Sequence, residues 1–349
     1  MGRGHGFYLT AEGGVAATPR YDAGPFVEPF PMQPTARPER PFGDWSVELE
    51  PSRWQAEVAL LGVTHSEPYA HDPQPNDQTR APDAVRRHSD VSCYGGRTHW
   101  DFDLDTNLGA VLTERSLDCG NAVRGAEEYG EYAARVQAYA ARLLGAGTQL
   151  IVLGGDHGVT IPVLDALEVL DTRLYIVHID AHLDWREEVG GVRRGYSSPL
   201  RWASQKPWIA GMTQIGLRAT GSARRGEVEA ARAYGSRLFT ATEVHAGGLD
   251  PVIATIPDDV PLYITIDADG LDPTVMPGVM APAPGGLHFE QVAPLLTRLG
   301  RRQRVVGMDI VEIAPALDAA NGITCITAGR LIVNLIGASG EFRHAARAA

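Results

Sequence analysis

The chain has 349 residues, 44% of them hydrophobic, with 43 Asp plus Glu against 31 Lys plus Arg and a formal net charge of −12. The acidic surplus argues against a nucleic-acid partner, and the apolar content excludes disorder over the whole length. No apolar run approaches the roughly 20 residues that a membrane-spanning helix needs, and the segment Met1 to His5 has no signal-peptide core, so a soluble, cytoplasmic protein with no membrane partner is expected.

Residues 1–55 carry Pro19, Pro25, Pro29, Pro31, Pro34, Pro38 and Pro41 with little apolar periodicity, which predicts an extended N-terminal arm rather than a helix or a central strand. Such an arm is either a disordered tail or a strap on a neighbouring subunit, because Phe26, Phe30, Phe42 and Trp45 are costly to leave in water. From residue 56 the pattern changes. Short apolar runs at 58–63, 108–112, 149–154, 174–179, 213–217, 262–266 and 305–311 read as strands. Helical periodicity occupies 126–144, 160–170, 226–234, 289–301 and 328–336. This alternation predicts a single α/β domain over 56–340, a three-layer αβα sandwich around a mostly parallel, doubly wound sheet, followed by a short tail at 341–349. Cys93, Cys119 and Cys325 are odd in number and have no CxxC partner, which suits reduced thiols rather than a disulfide framework.

In such sheets, ligands bind beyond the carboxyl ends of the strands. Three strand ends here are unusually polar: Gly154-Gly155-Asp156-His157, then Asp180-Ala181-His182-Leu183-Asp184, then Asp267-Ala268-Asp269-Gly270-Leu271-Asp272-Pro273. Strand alternation would put Asp180, His182 and Asp184 on one side, and likewise Asp267 and Asp269. A single Asp at a strand end is ordinarily a cap or a turn former. Four aspartates with two histidines would repel one another in a cleft unless a cation held them, and oxygen plus imidazole donors without thiolate suit manganese, nickel, iron or catalytic zinc. Two divalent ions against four carboxylates and a hydroxide leave a slightly anionic site, which favours a small cationic substrate such as a guanidinium.

These segments resemble the metal motifs of the ureohydrolase family, which includes arginase, agmatinase and formimidoylglutamase, in the right order from about residue 58 to residue 336. The resemblance implies an arginase-like fold and two divalent ions, Mn2+ first and Ni2+ as the alternative. His157 and Asp184 would serve the first ion, His182 and Asp269 the second, and Asp180 and Asp267 would bridge them. Asp184 would also pass a proton to the leaving amine, and Glu312, in Met308-Asp309-Ile310-Val311-Glu312, matches the glutamate that receives the guanidinium. His178 reads as a buried, hydrogen-bonded residue rather than a ligand. The resemblance also implies a homo-oligomer, trimeric or hexameric, with a hetero-oligomer containing a paralogous subunit as the alternative.

The sequence departs from arginase and agmatinase where they carry a proton-shuttling histidine, since Gly195-Tyr196-Ser197-Ser198-Pro199 stands there. Tyr196 and Ser198 are the candidates to replace it. Arg186 could meet a substrate carboxylate or pair with a neighbouring glutamate, and Trp185, Tyr196 and Trp202 could wall the pocket or belong to the core. An agmatinase-like hydrolase is the first reading. A nickel-dependent guanidine or biguanide hydrolase, a formimidoylglutamase-like hydrolase and a catalytically silent subunit are the alternatives.

Overall fold

Runs that are apolar at nearly every position can be buried only in a sheet covered on both faces. In the computed structural model, which describes residues 32–70, 76–92, 98–108 and 115–348, those runs supply most of a large sheet. Its strands and those of a small hairpin are, in chain order, β1 (Ser46–Val47), β2 (Val58–Thr64), β3 (Trp100–Asp101), β4 (Thr106–Asn107), β5 (Ser116–Val123), β6 (Gln149–Leu153), β7 (Leu174–Ile179), β8 (Ile209–Leu217), β9 (Arg237–Thr240), β10 (Leu262–Asp267) and β11 (Val305–Val311). Nine of them form one sheet in the order β1-β5-β2-β6-β11-β10-β7-β8-β9. Every neighbouring pair is parallel, and β3 with β4 is a separate antiparallel pair.

Alternate residues of each strand feed opposite layers. Ile151, Val177, Ile264 and Met308 pack with the helices Ala81–Ser92, Phe289–Arg302 and Ile323–Ala348. On the other face Leu150, Val152, Ile176 and Tyr263 pack with Tyr129–Gly145 and Thr160–Ala166. The architecture is therefore the expected three-layer sandwich.

Several expectations need correction. The strand expected at 108–112 is displaced: Leu108 is helical, 109–112 lie outside the described residues, and the strand is Ser116–Val123. Its Asp118 and Asn121 resemble turn residues in sequence, but both are buried because Arg86 binds them. The second half of the arm belongs to the main body. Phe42 and Trp45 are buried in this chain's own core with ring centroids 5.4 Å apart, and Ser46–Val47 pairs with Leu117–Asp118 of β5. Phe26 and Phe30 lie outside the described residues. The helix expected at 328–336 runs from Ile323 to Ala348, through the residues expected to form a tail. Its stretch Ile323–Arg347 has the length and apolar content of a membrane span, but most of it is buried against the sheet and the neighbouring helices, so it is a core helix.

Candidate metal centre

The sheet order positions the site. Strands β6, β11, β10 and β7 are neighbours, and the register aligns Leu153 with Ile310, Ile310 with Ile266, and Ile266 with Ile179. Their carboxyl ends therefore finish level, and the polar residues that follow share one crevice. The turn chemistry at these ends is repetitive. Asp180 Oδ1 accepts from His182 N at 2.6 Å, Asp267 Oδ1 from Asp269 N at 2.8 Å, and Asp156 Oδ1 from Gly158 N at 3.0 Å. In each case a short carboxylate bends the chain by binding the amide two residues on. Convergence thus comes from tight turns just past the strands, not from strand alternation as the sequence suggested.

Two glycines permit the close approach. A Cβ on Gly155 would lie 1.7 Å from the His65 carbonyl oxygen, and one on Gly270 would lie 2.7 Å from Asp180 N. Any side chain at Gly270 would push the third motif away from the second.

All six expected metal ligands meet. His157 Nδ1 lies 2.8 Å from Asp184 Oδ2, 3.4 Å from Asp180 Oδ2 and 3.5 Å from Asp267 Oδ2. His182 Nδ1 lies 3.1 Å from Asp269 Oδ2 and 3.4 Å from Asp180 Oδ1. His157 Nδ1 and Asp184 Oδ2 are buried and face each other, yet neither makes a hydrogen bond. Two orphaned donors aimed at a common point fit a metal ion, and Asp180, with one oxygen toward each imidazole, fits a carboxylate shared by two ions. Asp184 has φ of 50°, a left-handed conformation that is uncommon outside glycine and is characteristic of functional positions.

A buried chain behind His157 fixes its tautomer. Thr265 Oγ1 donates its only proton to Asp309 Oδ1 at 2.6 Å, so its oxygen accepts from His157 Nε2 at 2.9 Å. In the neutral ring Nδ1 is then the lone pair facing the aspartates. Asp309 also accepts from Tyr263 OH at 2.7 Å and from Thr160 Oγ1 at 3.0 Å. The sequence reading missed Thr265 and Asp309. Their signal was a polar residue inside an otherwise apolar strand, which must be satisfied by something.

The electrostatics call for positive charge. Burial, then the neighbouring Asp269 and Asp180, push the Asp267 carboxyl well above its usual range, and burial and Asp180 raise Asp269. Burial opposes a proton on His182, yet hydrogen bonds to Asp180 and Asp269 overcome it and push the imidazole up to about 12. Among the described residues lining the cleft there is no Lys or Arg. Arg218, also missed in sequence, lies alongside, but its guanidinium is spent on the carbonyls of Gly216, Asp269, Gly270, Leu271 and Ala283, tying the loop of the third motif in place.

Glu312 completes the floor. It follows β11, adopts φ of 64°, donates its amide to Gly155 O at 2.8 Å and accepts from His157 N at 2.7 Å through Oε1. Gln78 Nε2 donates to Oε2, and Ser66 Oγ holds the Gln78 amide oxygen at 2.9 Å. Burial, then Asp156, push the Glu312 carboxyl up to about 8. The cleft above has a volume of about 370 Å³, with Tyr196, Ser222, Met280 and Leu317 among its walls.

The other expected substrate contacts fall elsewhere. Trp185 is in the core, 5.8 Å from the Tyr234 ring. Trp202 has the Arg194 guanidinium and the Lys206 ammonium over its ring and donates to Asp165 at 2.8 Å. Arg186 pairs with Glu227 at 3.2 Å rather than with an adjacent glutamate, and borders a neighbouring recess. Ser198 is buried and its hydroxyl has no partner, but it does not line the cleft. Tyr196 does, with its ring 4.2 Å from that of Tyr69.

The arginase-family profile matches residues 56–337. The chain belongs to the arginase family. An agmatinase of Sodalis glossinidius (strain morsitans) is 33% identical over 268 residues, 75% of this chain and 81% of that protein. The proclavaminate amidino hydrolase from Streptomyces clavuligerus superposes with a TM-score of 0.74 at 25% identity, covering 89% of this chain and 98% of that one. The agmatine ureohydrolase of Thermoplasma volcanium gives 0.69 at 25% identity over 83% and 92% of the two chains. Membership places this arginase-family chain among hydrolases acting on guanidino carbon–nitrogen bonds, and its parallel nine-stranded sheet is the arginase-like α/β fold.

Proposed function

We propose that this chain hydrolyses a small guanidino compound, in the manner of an agmatinase, to urea or a substituted urea plus an amine. Two divalent ions, manganese first, would be held by His157 and Asp184 and by His182 and Asp269, with Asp180 and Asp267 shared. When bound, they would supply water of lowered pKa and would stabilise negative charge developing on the attacked carbon's substituents. The observation that carries the reading is the convergence of six donors on one crevice with His157 Nδ1 and Asp184 Oδ2 unsatisfied.

The chain's own residues do the rest. Glu312, held by the His157 amide and the Gln78 side chain, would receive a guanidinium through charge-assisted hydrogen bonds, the cation drawing its raised carboxyl back to the ionised form. Its left-handed backbone aims the side chain across the floor, which orients the guanidinium carbon over the aspartates. Asp184, with Oδ2 directed at the ion site, would use its other carboxylate oxygen to hold the proton released by water and return it to the departing amine. Tyr196 lines the cleft where relatives carry a histidine and is the candidate to exchange that proton with solvent.

The test is a screen for released urea or substituted urea on guanidine, agmatine, guanidinobutyrate, guanidinopropionate and biguanides, with manganese and nickel compared in parallel. Turnover on at least one substrate, lost in Glu312→Gln, is expected. Full metal loading with no turnover on any of them would favour a silent subunit and overturn the proposal.

A further inference from the structure

His178 sits closer to the metal centre than a structural residue needs to. Its ring nitrogen Nε2 is 2.8 Å from Asp180 Oδ2, and on proximity alone it groups with His157, Asp180 and Asp184 as a fourth donor. Proton accounting assigns it a different task. Leu183 O can only accept, so the end of the Gln214 amide that meets it at 2.9 Å is the nitrogen. The oxygen end then faces Ser236 Oγ, which donates at 2.9 Å. The second N–H of Gln214 points at His178 Nδ1, 3.1 Å away. An imidazole whose Nδ1 accepts carries its proton on Nε2, and that proton meets Asp180. His178, Gln214 and Asp180 are all fully buried, so no solvent competes for these bonds.

We infer that His178, set by Gln214 as the Nε2–H tautomer, is a positioning residue that orients Asp180 as the shared carboxylate and does not itself bind metal. Asp180 is gripped from two sides. Oδ2 accepts from His178 Nε2, and Oδ1 accepts from His182 N at 2.6 Å. The remaining lone pairs are directed so that Oδ2 lies 3.4 Å from His157 Nδ1 and Oδ1 lies 3.4 Å from His182 Nδ1, one oxygen for each half of the centre. Without Gln214 the imidazole could move its proton to Nδ1, turn a lone pair toward Asp180 and either repel it or capture an ion. The relay through Thr265 and Asp309 does for His157 what Gln214 and Ser236 do for His178: both rings are set with the proton on Nε2, but His157 turns its bare Nδ1 toward the aspartates whereas His178 turns its Nε2–H toward them. One histidine is prepared as a ligand and the other as a donor.

This inference rests on the two-metal reading, and the experiment separates the two. The full-length protein, labelled with 15N-histidine, is examined by long-range proton–nitrogen NMR before and after addition of Zn2+ as a diamagnetic probe, with the His178 signals assigned by their loss in His178→Phe. His178 should show the Nε2–H tautomer in both states, while His157 and His182 change on metal addition. A proton on Nδ1, or loss of the Nε2 proton when zinc is added, would overturn the inference. By calorimetry, His178→Phe should weaken metal binding about 10–100-fold, with Gln214→Leu between it and the unaltered protein. His178→Gln, which keeps an N–H near the same place, should recover part of the loss. Unchanged affinity in His178→Phe would refute the positioning role and leave the two-metal reading standing, whereas no metal binding by the unaltered protein would sink both.

Discussion

Two of the buried carboxylate clusters among the described residues are satisfied in opposite ways. Under the arm, Asp118 receives Arg86 Nε at 2.8 Å and a second guanidinium nitrogen at 2.8 Å, together with the amides of Phe42 at 3.0 Å and Gly120 at 2.9 Å. The remaining Arg86 nitrogen donates to Asn121 at 2.6 Å, and Arg86 and Asp118 are both fully buried. Here the protein supplies the cation and the hydrogen-bond count closes. At the strand ends four aspartates crowd two imidazoles with no guanidinium or ammonium lining the described cleft, and two facing atoms stay unsatisfied. Burial is the same in both places, so it does not mark function. The missing counter-charge does.

The comparison breaks most sharply under neutralisation of one carboxylate in each cluster. Asp267→Asn, and equally Asp180→Asn, should abolish loading of both ions and reduce turnover on the order of 10³-fold, because several kcal/mol of transition-state stabilisation go with the metals at about 1.4 kcal/mol per decade. Asp267→Asn should also raise the stability of the metal-free protein, since burial and the neighbouring Asp269 and Asp180 hold that carboxyl well above its usual range. Asp118→Asn should do the reverse, leaving metal binding intact while costing about 3–5 kcal/mol in denaturant titrations, because it strands a buried guanidinium. Stability changes of the same sign in the two metal-free variants would show that the clusters are not different in kind.

A smaller effect concerns pH. In the metal-free protein Asp180 and Asp269 outweigh burial and push His182 up to about 12, so its imidazole is protonated at neutral pH and must lose that proton to bind metal. Apparent affinity should therefore fall as pH falls, with protons released on binding. Calorimetry in buffers of different ionisation enthalpy reads this directly, and proton uptake would contradict it. The Arg86–Asp118 pair should show no such metal-linked proton.

The donors were legible in sequence because four of the six come as local pairs, Asp180 with His182 and Asp267 with Asp269, each an aspartate and a residue two positions on, joined by a turn that the spacing itself announces. The sheet order that lets them meet was not, since β10 and β11 enter the sheet between β6 and β7, although they follow both in the chain. Strand β5 was obscured because Asp118 and Asn121 look like turn residues until Arg86, 32 residues earlier, is brought to them. Adjacency also misled. Trp185 and Ser198 are close in sequence to Asp184 and Tyr196, but the left-handed bend at Asp184 turns the following residue into the core. Gln78 had no local signal at all, because its role is set by Glu312, 234 positions away.

Anomalous diffraction from manganese-loaded crystals of the full chain tests the central claim most directly. Two peaks are predicted, one between His157 and Asp184 and one between His182 and Asp269, each within bonding distance of Asp180 and Asp267. A single peak elsewhere in the molecule, or none under saturating metal, would contradict the account.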